Sequence, residues 1–193
     1  MKQRRYPSAE AVAQVVRQSL EAGKSIEIEG LGVFKPAPAG AFEFQADCAP
    51  RAFIAYAGEE YERAETLYGD LEAAGVRPWL DKKQLLAGQN WARAIERAIG
   101  ISDFFIPCFS RRATVKRGVF QSELRYALEC AARMPLEDIY IIPVRLDACE
   151  IPDEICRRLQ YVDLFPDWDR GVKRVVRSIW AQVRNRRRLL LAS

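Results

Sequence analysis

Few side chains in this sequence can act as an acid or a base, because its 193 residues include no histidine. That absence excludes Ser-His hydrolases, His-Cys nucleophilic pairs and His-ligated zinc. The five cysteines form no C-x-x-C pair and their number is odd, so we expect reduced thiols in a cytoplasmic protein. No carboxylate cluster has metal-ligand spacing, and no metal is expected. A carboxylate, Lys, Tyr or Cys must serve as any catalytic acid or base.

The glycine-containing segments do not match the known phosphate-binding loops. AGKS at 22–25 ends like a P-loop, but Gln18 occupies the position of the earlier glycine, and the predicted order is helix then strand. GLG at 30–32 lacks both a third glycine and a following helix. Neither segment predicts a phosphate cradle.

One acid, Glu123, stands apart by its surroundings. It lies in GVFQSELRYAL near the start of a predicted helix over 119–132, whose apolar face carries Phe120, Leu124, Ala127 and Leu128. An acid in the first turns of a helix complements the helix dipole by about 0.3 to 1 kcal/mol. Position alone favours that structural interpretation of Glu123.

The elements that would position Glu123 follow from the pattern after Arg51, where apolar runs of strand length alternate with amphipathic helical stretches. This alternation is typical of a parallel sheet with crossover helices. The predicted strands are 52–56, 76–80, 103–109, 139–144 and 161–164, and the predicted helices are 61–74, 91–99, 119–132, 151–159 and 171–186. Prolines within three of these strands suggest that they lie at strand ends or edges. The result is a flavodoxin-like α/β fold with a five-stranded parallel sheet flanked by helices.

In such a sheet, ligands bind beyond the carboxyl ends of the strands. The candidate segments are therefore 56–59 after the first strand, 81–90 after the second and 110–118 after the third.

The first 46 residues differ in character from the rest. Ser8 can cap a helix that Gly23 ends, and SIEIEG, LGVF, PAPAG and AFEF then predict a β-hairpin. We place the boundaries at a small unit of residues 1–46, a linker of 47–51, a main domain of 52–187 and a basic, apolar tail of 188–193. A unit this small buries too little surface to be stably folded by itself, so it should pack on the main domain or on another copy. We expect it to serve assembly or partner docking.

The net charge of +4 is unevenly distributed. Residues 170–193 carry eight Lys or Arg and no acid, leaving −4 for the rest. Such an end could meet nucleic acid or an anionic surface, but a solvated helix face with a frayed tail explains it more simply. No run approaches the roughly 18 apolar residues of a membrane helix, and MKQRRYPSAE has no apolar signal core, so we expect neither export nor membrane insertion.

Residues of about 8–45 resemble the helix-to-hairpin portion of the bacterial histone-like fold of HU, and the string GKSIEIEGLGVFKP carries this resemblance. The segment lacks the long basic arms that grip DNA in that family, and its charges cancel. Dimerisation or docking is therefore favoured over DNA binding.

Residues of about 51–186 resemble the TIR (Toll/interleukin-1 receptor) domain in its bacterial form. Five motifs occur in the family's order: AFIAYAGEE, WLDKKQLLAGQNWARAIERAI, FFIPCFS, GVFQSELRYAL and IIPVRLD. Ala55 stands where Ser is usual. The resemblance implies the α/β fold already predicted, and it implies that Glu123 matches the family's essential glutamate.

Many domains of this family cleave NAD+ between nicotinamide and ribose, and the resemblance implies an NAD+ glycohydrolase with NAD+ as its substrate and no other cofactor. The expected products are nicotinamide with ADP-ribose or a cyclic isomer. Glu123 would be the catalytic acid, and the implied substrate-binding residues are Tyr56, Ala57, Gly58, Asp81, Leu86, Ser110 and Val119. Val119 stands where many active members carry Trp, and Phe120 beside it would point elsewhere on the helix. The four tryptophans are interpreted as core or domain-edge residues.

Three hypotheses remain open at this point. The first is a bacterial immune effector that consumes NAD+ and is activated when copies oligomerise through TIR–TIR contacts. The second is a scaffold that only associates with other TIR domains, since fold does not fix activity. The third is nucleic-acid binding by the amino-terminal unit and the Arg-rich tail, which would be strongly salt-dependent.

Overall fold

The chain forms two units, residues 1–48 and residues 49–193. The structure is a computed structural model that describes residues 9–28, 32–37, 41–46, 49–115, 119–135 and 137–192. Each unit has a sheet of its own, antiparallel in the first and parallel in the second.

The first unit consists of one helix and three strands: α1 (Ala9–Glu21), β1 (Ile26–Ile28), β2 (Gly32–Pro36) and β3 (Phe42–Ala46). Helix α1 ends as predicted at Gly23, which adopts a φ of 72° that only glycine takes without strain. The backbone N–H groups of Gly23 and Lys24 donate to the carbonyls of Leu20 and Ser19, which closes the last turn. The predicted cap, Ser8, lies outside the described residues.

The sheet of the first unit contains one strand more than the expected hairpin. Its order is β1-β2-β3, with both neighbouring pairs antiparallel. Ile26–Ile28 and Gly32–Pro36 form two strands that pair with each other, instead of one long strand. Strand β2 begins at Gly32, whose φ of 143° is a backbone conformation that favours glycine.

The second unit contains five parallel strands in the order β5-β4-β6-β7-β8. Its strands are β4 (Arg51–Ala55), β5 (Arg77–Trp79), β6 (Phe104–Phe109), β7 (Val144–Arg145) and β8 (Val162–Asp163). Its helices are α2 (Tyr61–Ala73), α3 (Asp81–Gln84), α4 (Trp91–Ile101), α5 (Arg111–Val115), α6 (Val119–Ala131), α7 (Asp153–Cys156) and α8 (Trp168–Ala192), and a 3-10 turn covers Gly58–Glu60. This topology confirms the predicted flavodoxin-like α/β fold.

Three details differ from the sequence-based expectation. Strand β7 has two residues instead of six, because Pro143 cannot donate a ladder hydrogen bond and Ile141 makes only an isolated bridge to Phe105. Pro107 lies within the central strand β6, at its last pair with β4, and not at an edge. Helix α8 continues to Ala192, so the expected frayed tail after Arg186 is helical; the added residues contain neither Gly nor Pro.

Two apolar clusters hold the second unit together, one on each face of its sheet. Alternate residues of β4 serve opposite faces: Ala52 and Ile54 join the cluster under α2 and α8, whereas Phe53 and Ala55 join the cluster under α4 and α6. All six residues of β6 are buried. A sheet covered on both faces fixes the carboxyl ends of its strands, and these ends position the site described below.

Within the described ranges, no group of three or more His, Cys, Asp or Glu could hold a metal ion. The four described cysteines, Cys108, Cys130, Cys149 and Cys156, are free thiols. No helix of the described chain has the length and apolarity needed to cross a membrane.

Candidate active site

A cavity of about 400 Å³ opens beyond the carboxyl ends of β4 and β5. The segments that follow these strands meet there with the first turns of α4 and α6. The cavity is lined by Phe53, Ile54, Tyr56, Gly58, Asp81, Lys82, Leu85, Trp91, Ile95 and Glu123. Its volume lies within the usual range of small-molecule pockets.

Glu123 reaches the cavity from the apolar face of α6. It lies three residues after Phe120 and four before Ala127, both of which are buried, so helical spacing places all three on the core side. Only 8% of Glu123 is exposed. Burial, and then the negative charge of Asp81, raise the pKa of Glu123 to about 8. None of the described residues hydrogen-bonds its carboxyl group, which makes this acid costly to the fold.

Tyr56 and Asp81 form the polar wall of the cavity. The Tyr56 hydroxyl donates a hydrogen bond of 2.6 Å to Oδ1 of Asp81, which also accepts from the backbone N–H of Lys82 at 2.7 Å. Burial and the Asp81 carboxylate raise the pKa of Tyr56, so its hydroxyl remains a donor. The pair fixes the position of a negative charge near Glu123 without neutralising it.

Side-chain hydrogen bonds shape the segment between β5 and α4. Gln84 accepts a 2.8 Å bond from the backbone N–H of Leu80, and Gln89 accepts a 3.1 Å bond from that of Leu86. Gly88 has a φ of 81°, and Asn90 caps α4 by accepting from the N–H of Arg93. These contacts hold Lys82, Leu85 and Trp91 at the cavity.

Comparison with known proteins identifies the family. The family model described as TIR domain matches residues 52–176, nearly two thirds of the chain. This chain belongs to the TIR domain family. The comparison with curated proteins finds no match.

Solved structures similar to this TIR domain come from diverse organisms. The TIR domain of the Toll-related receptor TRR-2 from Hydra magnipapillata is 25% identical, with a TM-score of 0.52, over 65% of this chain and 97% of that chain. A prokaryotic SEFIR domain is 20% identical, with a TM-score of 0.53, over 68% and 93%. A metazoan TIR-STING receptor from C. gigas, solved with 2',3'-cGAMP, is 20% identical, with a TM-score of 0.55, over 66% and 38%. The last two likenesses concern the fold alone.

The TIR domain brings together four of the eight residues singled out from the sequence: Tyr56, Gly58, Asp81 and Glu123. Ala57 is buried beside them but does not line the cavity. Leu86 is 75% exposed, and Leu85 lines the cavity in its place. The Val119 side chain lies outside what the structure describes.

Ser110 also lies away from the cavity lining. It is completely buried, and its Oγ accepts a 3.1 Å hydrogen bond from the backbone N–H of Ala113. This bond caps the short helix α5. The structure therefore gives Ser110 a local role at a helix start, and its contact with substrate stays a prediction.

Trp91 was interpreted as a core or domain-edge residue, but the TIR domain leaves it 55% exposed at the cavity. The other three tryptophans pack as expected: Trp79 stacks on Phe53 at 4.7 Å, and the indole N–H groups of Trp168 and Trp180 donate to Asp70 and Ala74. A sequence signal for Trp91 did exist. It directly follows Asn90, a good N-cap residue, in the segment after the second strand.

A second cavity, of about 250 Å³, lies beside the Gly58–Glu60 turn of the TIR domain. Its lining is entirely charged: Glu59, Glu60, Glu62, Arg63, Arg112 and Asp147. Arg63 lies 3.8 Å from Glu60 and donates to the carbonyl of Leu146, so the buried acid of this cavity is partnered. The larger cavity, with an apolar wall and an acid that lacks a described donor, is the better candidate site.

Proposed function

We propose that this TIR domain is an NAD+ glycohydrolase with Glu123 as its catalytic residue. The observation that carries the proposal is a largely buried glutamate at a cavity large enough for part of a nucleotide, with no described hydrogen-bond donor to its carboxyl group. Such an arrangement costs stability and is typical of groups that act on a ligand.

The chemistry requires one carboxylate. The bond between C1' of the ribose and the pyridinium nitrogen breaks, and its electron pair leaves with nicotinamide, which departs as a neutral base and needs no general acid. The ribose acquires oxocarbenium character, and a carboxylate in a low-dielectric pocket stabilises that positive charge. Water then attacks C1' and releases a proton, for which Glu123 is the acceptor. Attack by an adenine nitrogen instead would give a cyclic ADP-ribose.

The raised pKa of Glu123 links binding to ionisation. With a pKa of about 8, the empty site holds this group mostly protonated at pH 7. A bound pyridinium places a positive charge in the cavity, which favours the ionised form and lowers that pKa. We therefore expect kcat/KM for NAD+ to rise with pH up to about 8, while kcat depends less on pH. A flat kcat/KM profile between pH 6 and 9 would contradict this role.

The decisive experiment compares Glu123→Gln with the wild-type protein. Nicotinamide released from NAD+ is measured by chromatography, and circular dichroism checks the fold. Glu129, exposed on the same helix, provides the control Glu129→Gln. We expect Glu123→Gln to abolish release and the control to retain it. Equal turnover by Glu123→Gln would refute the proposal.

The family resemblance further implies that assembly controls activity, with homo-oligomers forming through TIR–TIR contacts in a bacterial defence response. Turnover per protomer should then increase with protein concentration. Residues 1–46 are the proposed docking or assembly device, and a segment that oligomerises would raise the local concentration of the TIR domains.

A second candidate function, a scaffold without turnover, is favoured by one observation. Leu86 is 75% exposed on the segment that follows β5, and Trp91 is 55% exposed at the start of α4, where that segment ends. Exposed apolar side chains of this size suit a contact with another domain. If Leu86→Ser abolishes self-association while assembled wild-type protein leaves NAD+ intact at every concentration, the scaffold is the correct function.

A further inference from the structure

Lys82 places a positive charge at the cavity that Asp81 and Glu123 line. Its side chain lines the cavity, and its Nζ lies 4.2 Å from the centroid of the Tyr61 ring. Among the described residues, no carboxylate lies within ion-pair distance of Lys82. The ammonium group is held by a cation–π contact that a stronger anionic partner could replace.

The neighbouring acids are engaged elsewhere. Asp81 accepts the hydroxyl of Tyr56, and Glu65 on α2 is taken by Lys83, whose Nζ lies 2.8 Å from it. Lys83 thus has an ion pair, whereas Lys82 has none within the described part of the chain, although the two residues are adjacent in sequence.

Lys82 also leaves Glu123 unneutralised. An ammonium close to a buried carboxyl group lowers its pKa, whereas burial and Asp81 raise the pKa of Glu123 to about 8. Both residues line the cavity, and no ion pair joins them among the described residues. A ligand that satisfies both carries a positive group toward Glu123 and an anionic group some distance away.

We propose that Lys82 binds a phosphate of the nucleotide substrate, so that the site selects pyridinium ribosides that carry a 5'-phosphate over those that do not. This inference rests on the proposed function. In the complex, the ammonium would turn from the Tyr61 ring to a phosphate oxygen, because a charge-assisted hydrogen bond is stronger than a contact with a ring. The phosphate would then hold the ribose with its pyridinium beside Glu123.

The first test compares Lys82→Gln with Lys83→Gln on two substrates, NAD+ and nicotinamide riboside, which lacks phosphate. Loss of a hydrogen bond to a charged group predicts a drop in kcat/KM for NAD+ of about 10- to 100-fold in Lys82→Gln, mainly through KM. The riboside should be cleaved equally well by Lys82→Gln and wild type. Lys83→Gln loses an exposed ion pair and should remain within about fivefold of wild type on both substrates. Lys82→Arg should restore most of the activity on NAD+.

Some outcomes of this test would overturn the inference. An equal loss on both substrates would mean that Lys82 supports the loop and does not read the phosphate. No loss on NAD+ in Lys82→Gln would mean that the phosphate binds elsewhere, while the proposed function would stand.

A second test measures binding without turnover. Titration calorimetry with ADP-ribose should give a Kd that Lys82→Gln weakens about 10-fold or more, and the wild-type Kd should rise steeply with salt. If no protein cleaves NAD+ but ADP-ribose still binds in a Lys82-dependent way, the proposed function fails and this inference survives. If Lys82→Gln binds ADP-ribose as wild type does, or wild type does not bind it, the inference fails.

Discussion

The second unit buries large apolar side chains on both faces of its sheet, whereas in the described part of the first unit only Gly32 is buried. Both units have amphipathic helices and alternating strands, so the difference does not lie in local pattern. It lies in how much of each sheet the helices cover. Four long helices cover the parallel sheet, but a single helix packs mainly on β1 and β2 of the three-stranded sheet.

The sheet of the first unit exposes aromatic side chains on β3. Strand pairing places Ile26, Phe34 and Phe44 on one face, where the rings of Phe34 and Phe44 lie 4.5 Å apart. Phe44 is 43% exposed and Phe42 is 63% exposed. A face of this kind usually contacts something in the working protein. That the unit packs on another copy or on the second unit stays a prediction.

The largest effect should come from Phe105→Ala in the second unit. Phe105 is completely buried in β6 and stacks on Phe53 at 5.6 Å. Removing such a ring leaves a cavity, and the loss should be about 3 to 5 kcal/mol in free energy of unfolding. Urea denaturation followed by circular dichroism provides the measurement. A loss below about 1 kcal/mol would mean that the core of this unit is no better packed than the first unit.

A backbone contact should give the next largest effect. A methyl group on residue 171 would lie 2.5 Å from the carbonyl oxygen of Asp163 and 2.9 Å from Cα of Leu164, because α8 packs closely against β8. Gly171→Ala should therefore cost about 3 kcal/mol, at the upper end of overpacking. Gly69 in α2 has open space around it, so Gly69→Ala should be neutral or stabilising by up to about 1 kcal/mol. If both variants unfold at the same urea concentration, the close contact does not exist.

The acid of the site should make the second unit sensitive to pH. The folded-state pKa of Glu123, about 8, exceeds its ordinary value of 4.5, so the folded protein holds the proton more tightly than the unfolded chain, and stability falls as pH rises from about 4.5 to 8. By pH 8 this linkage costs on the order of 4 kcal/mol. The substitution Glu123→Gln removes that cost, but it buries an amide without a hydrogen-bond partner, which lowers the free energy of unfolding by about 1 to 3 kcal/mol.

We therefore expect Glu123→Gln to stabilise the protein by about 2 kcal/mol at pH 8 and to give little or no gain at pH 5. Melting temperatures of the two proteins across this pH range measure the difference. Glu129→Gln is again the control and should show no such pH-dependent gain. A gain for Glu123→Gln that is the same at both pH values would show that its ionisation is not responsible.

The sequence predicted the long elements because their signals are periodic. Helix α6 was expected at 119–132 and spans 119–131, and the first strand of the second unit was also close. The short helices α3 and α5 were not expected, because side-chain contacts of Gln84 and Ser110 close them and no periodic pattern marks them. For the same reason the sequence could not distinguish Leu85 from Leu86, since the turn that follows α3 decides which one faces the cavity.

The site itself was predictable in outline. Loops after the first two strands and the start of α6 had to meet at one edge of the sheet, and Tyr56, Asp81 and Glu123 do meet there. Lys82 and Trp91 were missed as pocket residues. Lys82 lies in the short helix α3, where the sequence gives no signal that one lysine has an ion-pair partner and its neighbour has none; only the structure shows Lys83 paired with Glu65.

The smallest effect is expected in the first unit, from Phe44→Ala. Its ring is nearly half exposed, so truncation should change the free energy of unfolding by less than about 1 kcal/mol when the protein is dilute, against the several kcal/mol of Phe105→Ala. Hydrogen exchange in β2 and β3 reports on this unit separately and should be faster than in β4 and β6. Glu43→Ala, on the opposite face of the same strand, is the matched control. A loss for Phe44→Ala that grows with protein concentration, absent in Glu43→Ala, would show that another copy covers this aromatic face and completes the core that the unit lacks by itself.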